Sequence, residues 1–272
     1  MDHSQMVSAQ WNSSYIVLSY IIAALASYVS LELAGRAGQN FSQSASRFWL
    51  IAQALVLGYG IWAMHFVGML AYQVNVAANF NSGLTVFSGL IAVALIYPAL
   101  RILHAGPLSL GRLATAGSVA GLGIVIMHYT GMAAYQMPGT EVHLVWLPLI
   151  ASVLIAVGAS MVAFFLFRLL SSEWVTRQTR MALLGVKVGA GLVMGAAVIG
   201  MHYTGMAALD YHVVDEMKTG LASGGVDTSL LALIVGVVSF LLIGLAVTSI
   251  LMDAGRGGDL DEMDFGAGSA AD

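Results

Sequence analysis

The chain contains no cysteine, and it has few charged residues for its length of 272. The absence of cysteine excludes disulfides, thiolate metal sites and a cysteine nucleophile, so methionine is the soft metal ligand that remains. Charged residues make up 9% of the chain, whereas soluble domains carry about 25%. No Asp, Glu, Lys or Arg occurs from Phe48 to Leu100, and a membrane-spanning helix needs only about 20 apolar residues. An integral membrane protein is therefore predicted, with the lipid bilayer as its surroundings. Its formal charge of −4, without a basic patch, argues against a nucleic-acid partner.

The apolar runs between charges, prolines and clusters of small polar residues predict an all-α membrane protein with seven transmembrane helices. The predicted spans are Ser14–Leu33, Phe48–Gln73, Gly83–Leu103, Leu113–Gln136, Leu144–Leu170, Ala182–Leu209 and Ser229–Met252. Nine of the ten Lys and Arg residues fall on one side of these spans. By the positive-inside rule, the N-terminus is outside and the C-terminus is cytoplasmic. Residues 1–13 then form an extracytoplasmic segment, 14–252 the membrane domain, and 253–272 a short disordered acidic and Gly-rich cytoplasmic tail.

An octapeptide recurs along the chain and divides it into three helix-pair repeats. The sequence MHYTGMAA occurs at Met127–Ala134 and Met201–Ala208, and the looser copy MHFVGMLA occurs at Met64–Ala71. The copies lie in spans two, four and six, which run in the same direction. Their histidines are therefore predicted to form one layer in the outer half of the membrane, about 12 Å from the outer ends of the spans. These histidines are His65, His128 and His202.

Small residues and methionines share a helical stripe with each histidine. The methionine four positions later, the glycine three positions later and the glycine seven positions earlier all lie within about 100° of one another on a helix. We expect these glycines to allow close helix packing. They are Gly58, Gly68, Gly121, Gly131, Gly195 and Gly205.

Two explanations of the octapeptide remain open, helix packing alone and a metal site. Ionisable residues within a membrane are expensive and usually functional, and three at one depth favour the metal. Imidazole with thioether favours copper. Zinc more often recruits carboxylate or thiolate, and nothing in the spacing requires a haem. The predicted ligands are His65, His128 and His202, with Met69, Met132, Met206, Met64, Met127 and Met201.

Four further residues outside the spans are secondary metal candidates. His3 and Met6 lie at the N-terminus, where an amine, two amides and an imidazole together offer the square-planar set that Cu(II) favours. His143 and His212 lie in outer connections, each near acidic residues. A disordered terminus and solvated surface histidines are the alternatives.

The three Met-His elements in alternate spans make the chain resemble the MHYT domain family of bacterial membrane sensors, over about Ser14–Met252. The resemblance implies a multi-pass protein of the bacterial inner membrane that binds copper through Met, His and Tyr residues. It also implies a diatomic ligand such as O2, CO or NO. Tyr129 and Tyr203 occupy the tyrosine position, but the first copy has Phe66 there. A site with three tyrosines is therefore excluded, and we expect the two tyrosines to line the site.

The resemblance also implies a signalling output in the cytoplasm. Family members carry GGDEF and EAL domains or a histidine kinase there, whereas the residues after the seventh span are too few for a domain. We expect either a separate signalling partner or a chain cut from a longer one. The leading hypothesis is a non-enzymatic sensor of a gas, redox state or copper. An intramembrane copper enzyme that activates oxygen and a copper uptake or storage protein are the alternatives.

Overall fold

The computed structural model describes residues 7–37 and 43–214, and within 231–248 it describes residues 231, 233–242, 244, 245 and 248. Six long helices dominate this part of the chain, and a shorter apolar helix follows them. The helices are α1 (Ser13–Ala37), α2 (Gln43–Leu70), α3 (Ser82–His104), α4 (Leu110–Ala134), α5 (Trp146–Leu170), α6 (Arg180–Met206) and α7 (Leu233–Leu242).

The six long helices are long and apolar enough to cross a membrane, and the chain is therefore a multi-pass membrane protein. Polar residues set where several of them begin. Asn81, Ser109 and Thr179 precede α3, α4 and α6, and each accepts a hydrogen bond from the backbone three residues later, which satisfies an otherwise unpaired N–H. The seventh predicted span, Ser229–Met252, is helical over Leu233–Leu242; its ends, His3, Met6 and the tail lie outside the described residues.

The six helices pack into a closed ring with approximate threefold symmetry. Each odd-numbered helix packs between two even-numbered ones, and α1 closes the ring against α6. The even-numbered helices α2, α4 and α6 also contact one another, so they form the inside of the bundle. These are the three helices that carry the octapeptide.

In the described part of the chain, three small antiparallel sheets lie at one end of the ring, called the sheet end below. They pair β1 (Ala9–Trp11) with β2 (Tyr72–Val74), β3 (Asn79–Phe80) with β4 (Tyr135–Gln136), and β5 (Thr140–Leu144) with β6 (Leu209–Val213). Each sheet joins the segment before an odd-numbered helix to the segment after the next even-numbered helix. The repeat is therefore a helix hairpin closed by its own strands.

The sheets correct the predicted ends of spans two, four and six. The predicted spans reach Gln73, Gln136 and Leu209, but the helices end at Leu70, Ala134 and Met206. The segments that follow are apolar enough to prolong the hydropathy signal, while their backbone pairs with another strand instead. As a result the histidines lie about 6–9 Å from the helix ends rather than about 12 Å.

Candidate metal centre

The three octapeptide histidines meet at the centre of the bundle. The distance from the Nδ1 atom of His65 to that of His128 is 3.1 Å, and to that of His202 it is also 3.1 Å. The Nδ1 atoms of His128 and His202 lie 3.3 Å apart. All three side chains are at most 1% exposed. We call this arrangement the histidine triangle.

Hydrogen bonds alone do not satisfy the histidine triangle. A ring nitrogen of histidine is either a donor or an acceptor, so two of three mutually adjacent Nδ1 atoms must have the same role. Those two atoms face each other at hydrogen-bond distance without a hydrogen bond, in a buried setting where an unpaired polar group is costly. A cation removes the conflict, because all three nitrogens can present a lone pair to it.

The size of the triangle also fits a metal ion. Nitrogen atoms 3.1–3.3 Å apart lie about 1.8 Å from their common centre, which is close to the usual metal–imidazole distance of about 2.0 Å. Among the described residues, this is the one group of three or more His, Cys, Asp or Glu side chains whose ligand atoms converge in this way.

The glycines three residues after the histidines leave room for the imidazole rings. A Cβ atom added to Gly68 would lie 2.3 Å from Nε2 of His202, one added to Gly131 would lie 2.3 Å from Nε2 of His65, and one added to Gly205 would lie 2.4 Å from Nε2 of His128. Each ring thus packs on the glycine of another copy of the motif. Because Nε2 points to the neighbouring helix, Nδ1 is the nitrogen that reaches the centre.

The glycines seven residues before the histidines have different neighbours. A Cβ on Gly58 would contact Val93 of α3 and one on Gly121 would contact Val157 of α5. On Gly195 it would contact Ala24 of α1. These three glycines therefore bring the inner helices close to the outer ones, while the other three accommodate the histidines.

The predicted methionine ligands are buried, and those after the histidines face two cavities. Met132 and Met206 line a cavity of about 410 Å³ that extends to Tyr72 and Asp210 at the sheet end; we call it the outer cavity. Met69 lines a second cavity of about 300 Å³. The three methionines thus lie between the histidine triangle and the sheets. The side chains before the histidines, Met64, Met127 and Met201, are at most 2% exposed.

The motif tyrosines pack beside the histidines and bond to the outer helices. The ring of Tyr129 lies edge-on to that of His128, at a centroid distance of 4.9 Å, and its hydroxyl is 2.9 Å from Oγ of Ser152 on α5. Tyr203 has the same relation to His202 and to Ser19 on α1, with the two hydroxyl oxygens 3.3 Å apart.

In the first copy of the motif, which has no tyrosine, a tryptophan N–H makes the contact to the outer helix instead. Phe66 packs edge-on to His65 at 4.8 Å. The indole N–H of Trp62 donates to Ser88 of α3 over 3.1 Å. Ser19, Ser88 and Ser152 therefore occupy related places on α1, α3 and α5.

The sequence did not indicate that three tyrosines, Tyr72, Tyr135 and Tyr211, line the two cavities. Burial raises the pKa of Tyr72, and the charge of Asp210 raises it further. Burial, and to a smaller extent the nearby Tyr72, raises the pKa of Tyr211 to about 12. Burial also raises the pKa of Tyr135, with smaller contributions from Tyr72 and Tyr211. All three phenols stay neutral at physiological pH. Tyr72 and Tyr135 directly follow their motifs. In the third copy that position is Leu209, and Tyr211 lies two residues further on, which is one period of a strand.

A buried ion pair at the opposite end of the ring was also missed. Nζ of Lys187 on α6 lies 2.7 Å from Oε1 of Glu32 on α1, with side chains 17% and 6% exposed. One acidic and one basic residue within separate apolar spans could have indicated a pair, but the sequence does not say which helices are adjacent.

Two of the secondary metal candidates lie away from the histidine triangle. His143 and His212 lie together on the β5–β6 sheet. His104, which is not a predicted ligand, lies at the end of α3 opposite the sheets, and its Nδ1 is 2.9 Å from the carbonyl oxygen of Leu100.

Comparison with known proteins identifies the repeats. Residues 58–116 and 121–184 match the profile of the MHYT family, described as a bacterial signalling protein N-terminal repeat. The bifunctional diguanylate cyclase/cyclic di-GMP phosphodiesterase MucR of Pseudomonas aeruginosa is 40% identical over 92% of this chain and 35% of that protein. The chain belongs to the MHYT family.

Two other relatives are similar to the MHYT chain over about three quarters of its length. The cyclic di-GMP phosphodiesterase NbdA of Pseudomonas aeruginosa is 35% identical over 77% of this chain and 26% of that protein. The signalling protein YkoW of Bacillus subtilis is 33% identical over 76% of this chain and 25% of that protein. The MHYT chain thus spans about a quarter to a third of these relatives. No solved structure matches it. The third motif lies beyond the two profile matches, but its histidine completes the triangle.

Proposed function

We propose that this MHYT chain is a sensor domain of the bacterial inner membrane that holds a copper ion on His65, His128 and His202. The observation that carries the proposal is the histidine triangle, in which three buried Nδ1 atoms lie 3.1–3.3 Å apart. In this proposal the sheet end faces outward, the N-terminus is outside, and seven spans place the C-terminus in the cytoplasm.

The donor set favours copper over other ions. Among the His, Cys, Asp and Glu side chains of the described residues the converging ligand atoms are all imidazole nitrogens, and each motif also carries two thioethers. Imidazole and thioether together suit copper, and thioether suits Cu(I) in particular. Copper bound there would supply a centre able to change oxidation state or to take a diatomic ligand such as O2, CO or NO.

The residues around the triangle are arranged to report a change at the centre. Each imidazole belongs to a different inner helix and packs on the glycine of another inner helix. A displaced ring therefore pushes directly on a neighbouring backbone. Tyr129 and Tyr203 extend the contact to α5 and α1 through Ser152 and Ser19. The small shifts that packed helices allow can then reach the whole ring.

The outer cavity supports access from the sheet end. Its wall includes Met132 and Met206, so a small molecule in it would lie close to the motif residues. This cavity equally supports the second candidate, a copper enzyme that activates oxygen. Repeated turnover of O2 by the purified protein would favour the enzyme, and a single reversible spectral change on adding gas would favour the sensor.

The relatives support a cytoplasmic signalling output. MucR and NbdA are named for the synthesis or breakdown of cyclic di-GMP. We propose that the MHYT domain here regulates an output of cyclic-dinucleotide or kinase type, on the same chain or on a partner.

Elemental analysis of the protein purified in detergent tests the metal. We expect about one copper per chain in the wild type and less than a tenth of that in His65→Ala/His128→Ala/His202→Ala. His104→Ala is the matched control, because His104 is a partly buried span histidine outside the triangle. Single His→Asn variants repeat the test if the triple variant unfolds. Equal and negligible metal in all folded proteins would sink the proposal.

A further inference from the structure

The β5–β6 sheet places four metal-ligand side chains on one face. In its register Glu141 is opposite His212, and His143 is opposite Asp210. Side chains alternate between the two faces of a strand, and directly opposite residues share a face. Glu141, His143, Asp210 and His212 therefore share one face, while Val142 and Tyr211 project from the other.

The two histidines of this face are in contact. Their ring centroids lie 4.8 Å apart with planes at 83°. The pairs within the histidine triangle have centroid distances of 4.9–5.2 Å and plane angles of 81–90°. The surface pair thus resembles the pairs of the triangle in ring distance and angle, although among the described residues only the triangle has three ligand atoms that already converge.

The face is open and adjoins the outer cavity. Glu141 and His143 are exposed, and Asp210 and His212 are half-buried. Asp210 also lines the outer cavity, together with Met132 and Met206.

We propose that His143 and His212, with Glu141 and Asp210, form a second metal site that takes Cu²⁺ or Zn²⁺ from outside. Two imidazoles with carboxylate are a ligand set of zinc sites, and mixed nitrogen and oxygen donors also suit Cu(II). This set is harder than the imidazole and thioether set at the centre, so the two sites prefer different ions. The surface site does not depend on the function proposed above, because its four ligands are separate from the triangle.

Metal titration of the full chain in detergent tests this site, with Cu²⁺ followed by electron paramagnetic resonance and Zn²⁺ by competition. Every protein compared carries His3→Ala, since His3 is itself a Cu²⁺ candidate. The test variant is His143→Ala/His212→Ala. The matched control is Val142→Ala, which changes the same strand on its other face. Glu141→Gln/Asp210→Asn tests the carboxylates, and circular dichroism checks that helix content is retained.

We expect the His143→Ala/His212→Ala protein to lose one Cu²⁺ equivalent with nitrogen hyperfine coupling, or to bind it at least about tenfold more weakly. Val142→Ala should bind as the background protein does, and the carboxylate variant should be intermediate. Equal stoichiometry and affinity in the test variant and the control would show that the two rings only pack together, and would overturn the proposal.

The two metal proposals fail in distinguishable ways. If the central site is wrong, His65→Ala/His128→Ala/His202→Ala loses no ion while the surface equivalent still titrates. If the surface site is wrong, the test variant binds as many ions as Val142→Ala does, with the same affinity, while the triangle variant still loses its own ion.

Discussion

The glycine that follows each histidine by three residues matters as much as the histidine itself. The imidazole ring occupies the space where another residue would have its Cβ. Because that ring also carries the converging Nδ1 atom, crowding at the glycine moves a proposed metal ligand. The role that these three glycines share is therefore steric and specific to the site.

Gly205→Ala should therefore reduce metal content at least about tenfold and destabilise the protein by about 1–3 kcal/mol, the usual cost of overpacking. The new methyl group would meet Nε2 of His128 at 2.4 Å. Gly200→Ala, five residues earlier on α6, is the control because a Cβ there meets no atom within 4 Å. Metal analysis and thermal unfolding measure both effects. Equal behaviour of the two variants would contradict the assigned role.

The hydroxyl of the motif tyrosine contacts a serine of an outer helix, and we expect metal binding not to need this contact. We expect Tyr129→Phe to retain its metal, since Phe66 fills this position in the first copy, and to lose about 0.5–1.5 kcal/mol of stability with the hydrogen bond to Ser152. Ser152→Ala should cost a similar amount, and the double variant little more. Loss of metal from Tyr129→Phe would instead place the hydroxyl in the metal site.

At the scale of helices, α1 is fixed to α6 at both ends. Near the sheet end Tyr203 of α6 contacts Ser19 of α1, and at the opposite end Lys187 pairs with Glu32. Helix α1, which belongs to the first hairpin, thereby closes the ring against α6 of the third hairpin. A change that separates α1 from α6 would open the ring at one seam.

Lys187→Met should destabilise the protein by about 3–5 kcal/mol, because it leaves the carboxylate of Glu32 buried without its ion-pair partner. Adding Glu32→Gln should restore a large part of that loss, since the uncompensated charge is removed. Unfolding in mixed micelles with increasing denaturant measures the three proteins. A double variant as unstable as the single one would show that the charge is not the cause.

At the scale of the whole molecule, a metal at the triangle would link the three helix hairpins. Chelation should lower stability by about 2.7 kcal/mol if the ion had been present at 100 times its dissociation constant. Hydrogen exchange should then increase at the ends of α2, α4 and α6 nearest the sheets. The triple histidine variant is the control and should not respond to chelator. If chelator also leaves the stability of the wild type unchanged, the metal does not stabilise the fold.

The absence of cysteine gives a direct test of orientation, because an introduced thiol reacts without background. Val214→Cys lies at the sheet end and Glu173→Cys at the opposite end, and both positions are exposed. A thiol reagent that does not cross membranes should label Val214→Cys in whole cells and Glu173→Cys only after lysis. The reverse pattern would invert the proposed topology.

The sequence predicted the helices well, and it predicted their ends poorly. Apolar runs longer than a bilayer leave few alternatives to a helix, so the six long helices follow from composition. Tyr72, Tyr135 and Leu209 prolong those runs, but in the structure they begin strands. Strand pairing depends on a segment distant in the chain, and hydropathy within one window does not contain it.

The sequence by itself determined that three histidines lie at one depth on three parallel helices, because a repeated motif in alternate spans allows little else. Only the tertiary structure decided that they meet through Nδ1, that glycines of other motif copies receive their rings, and that His143 and His212 share a sheet face with two carboxylates. The physical reason is that depth follows from position along one helix. Convergence depends instead on the rotation and neighbours of several helices, which are set by packing between residues far apart in the chain.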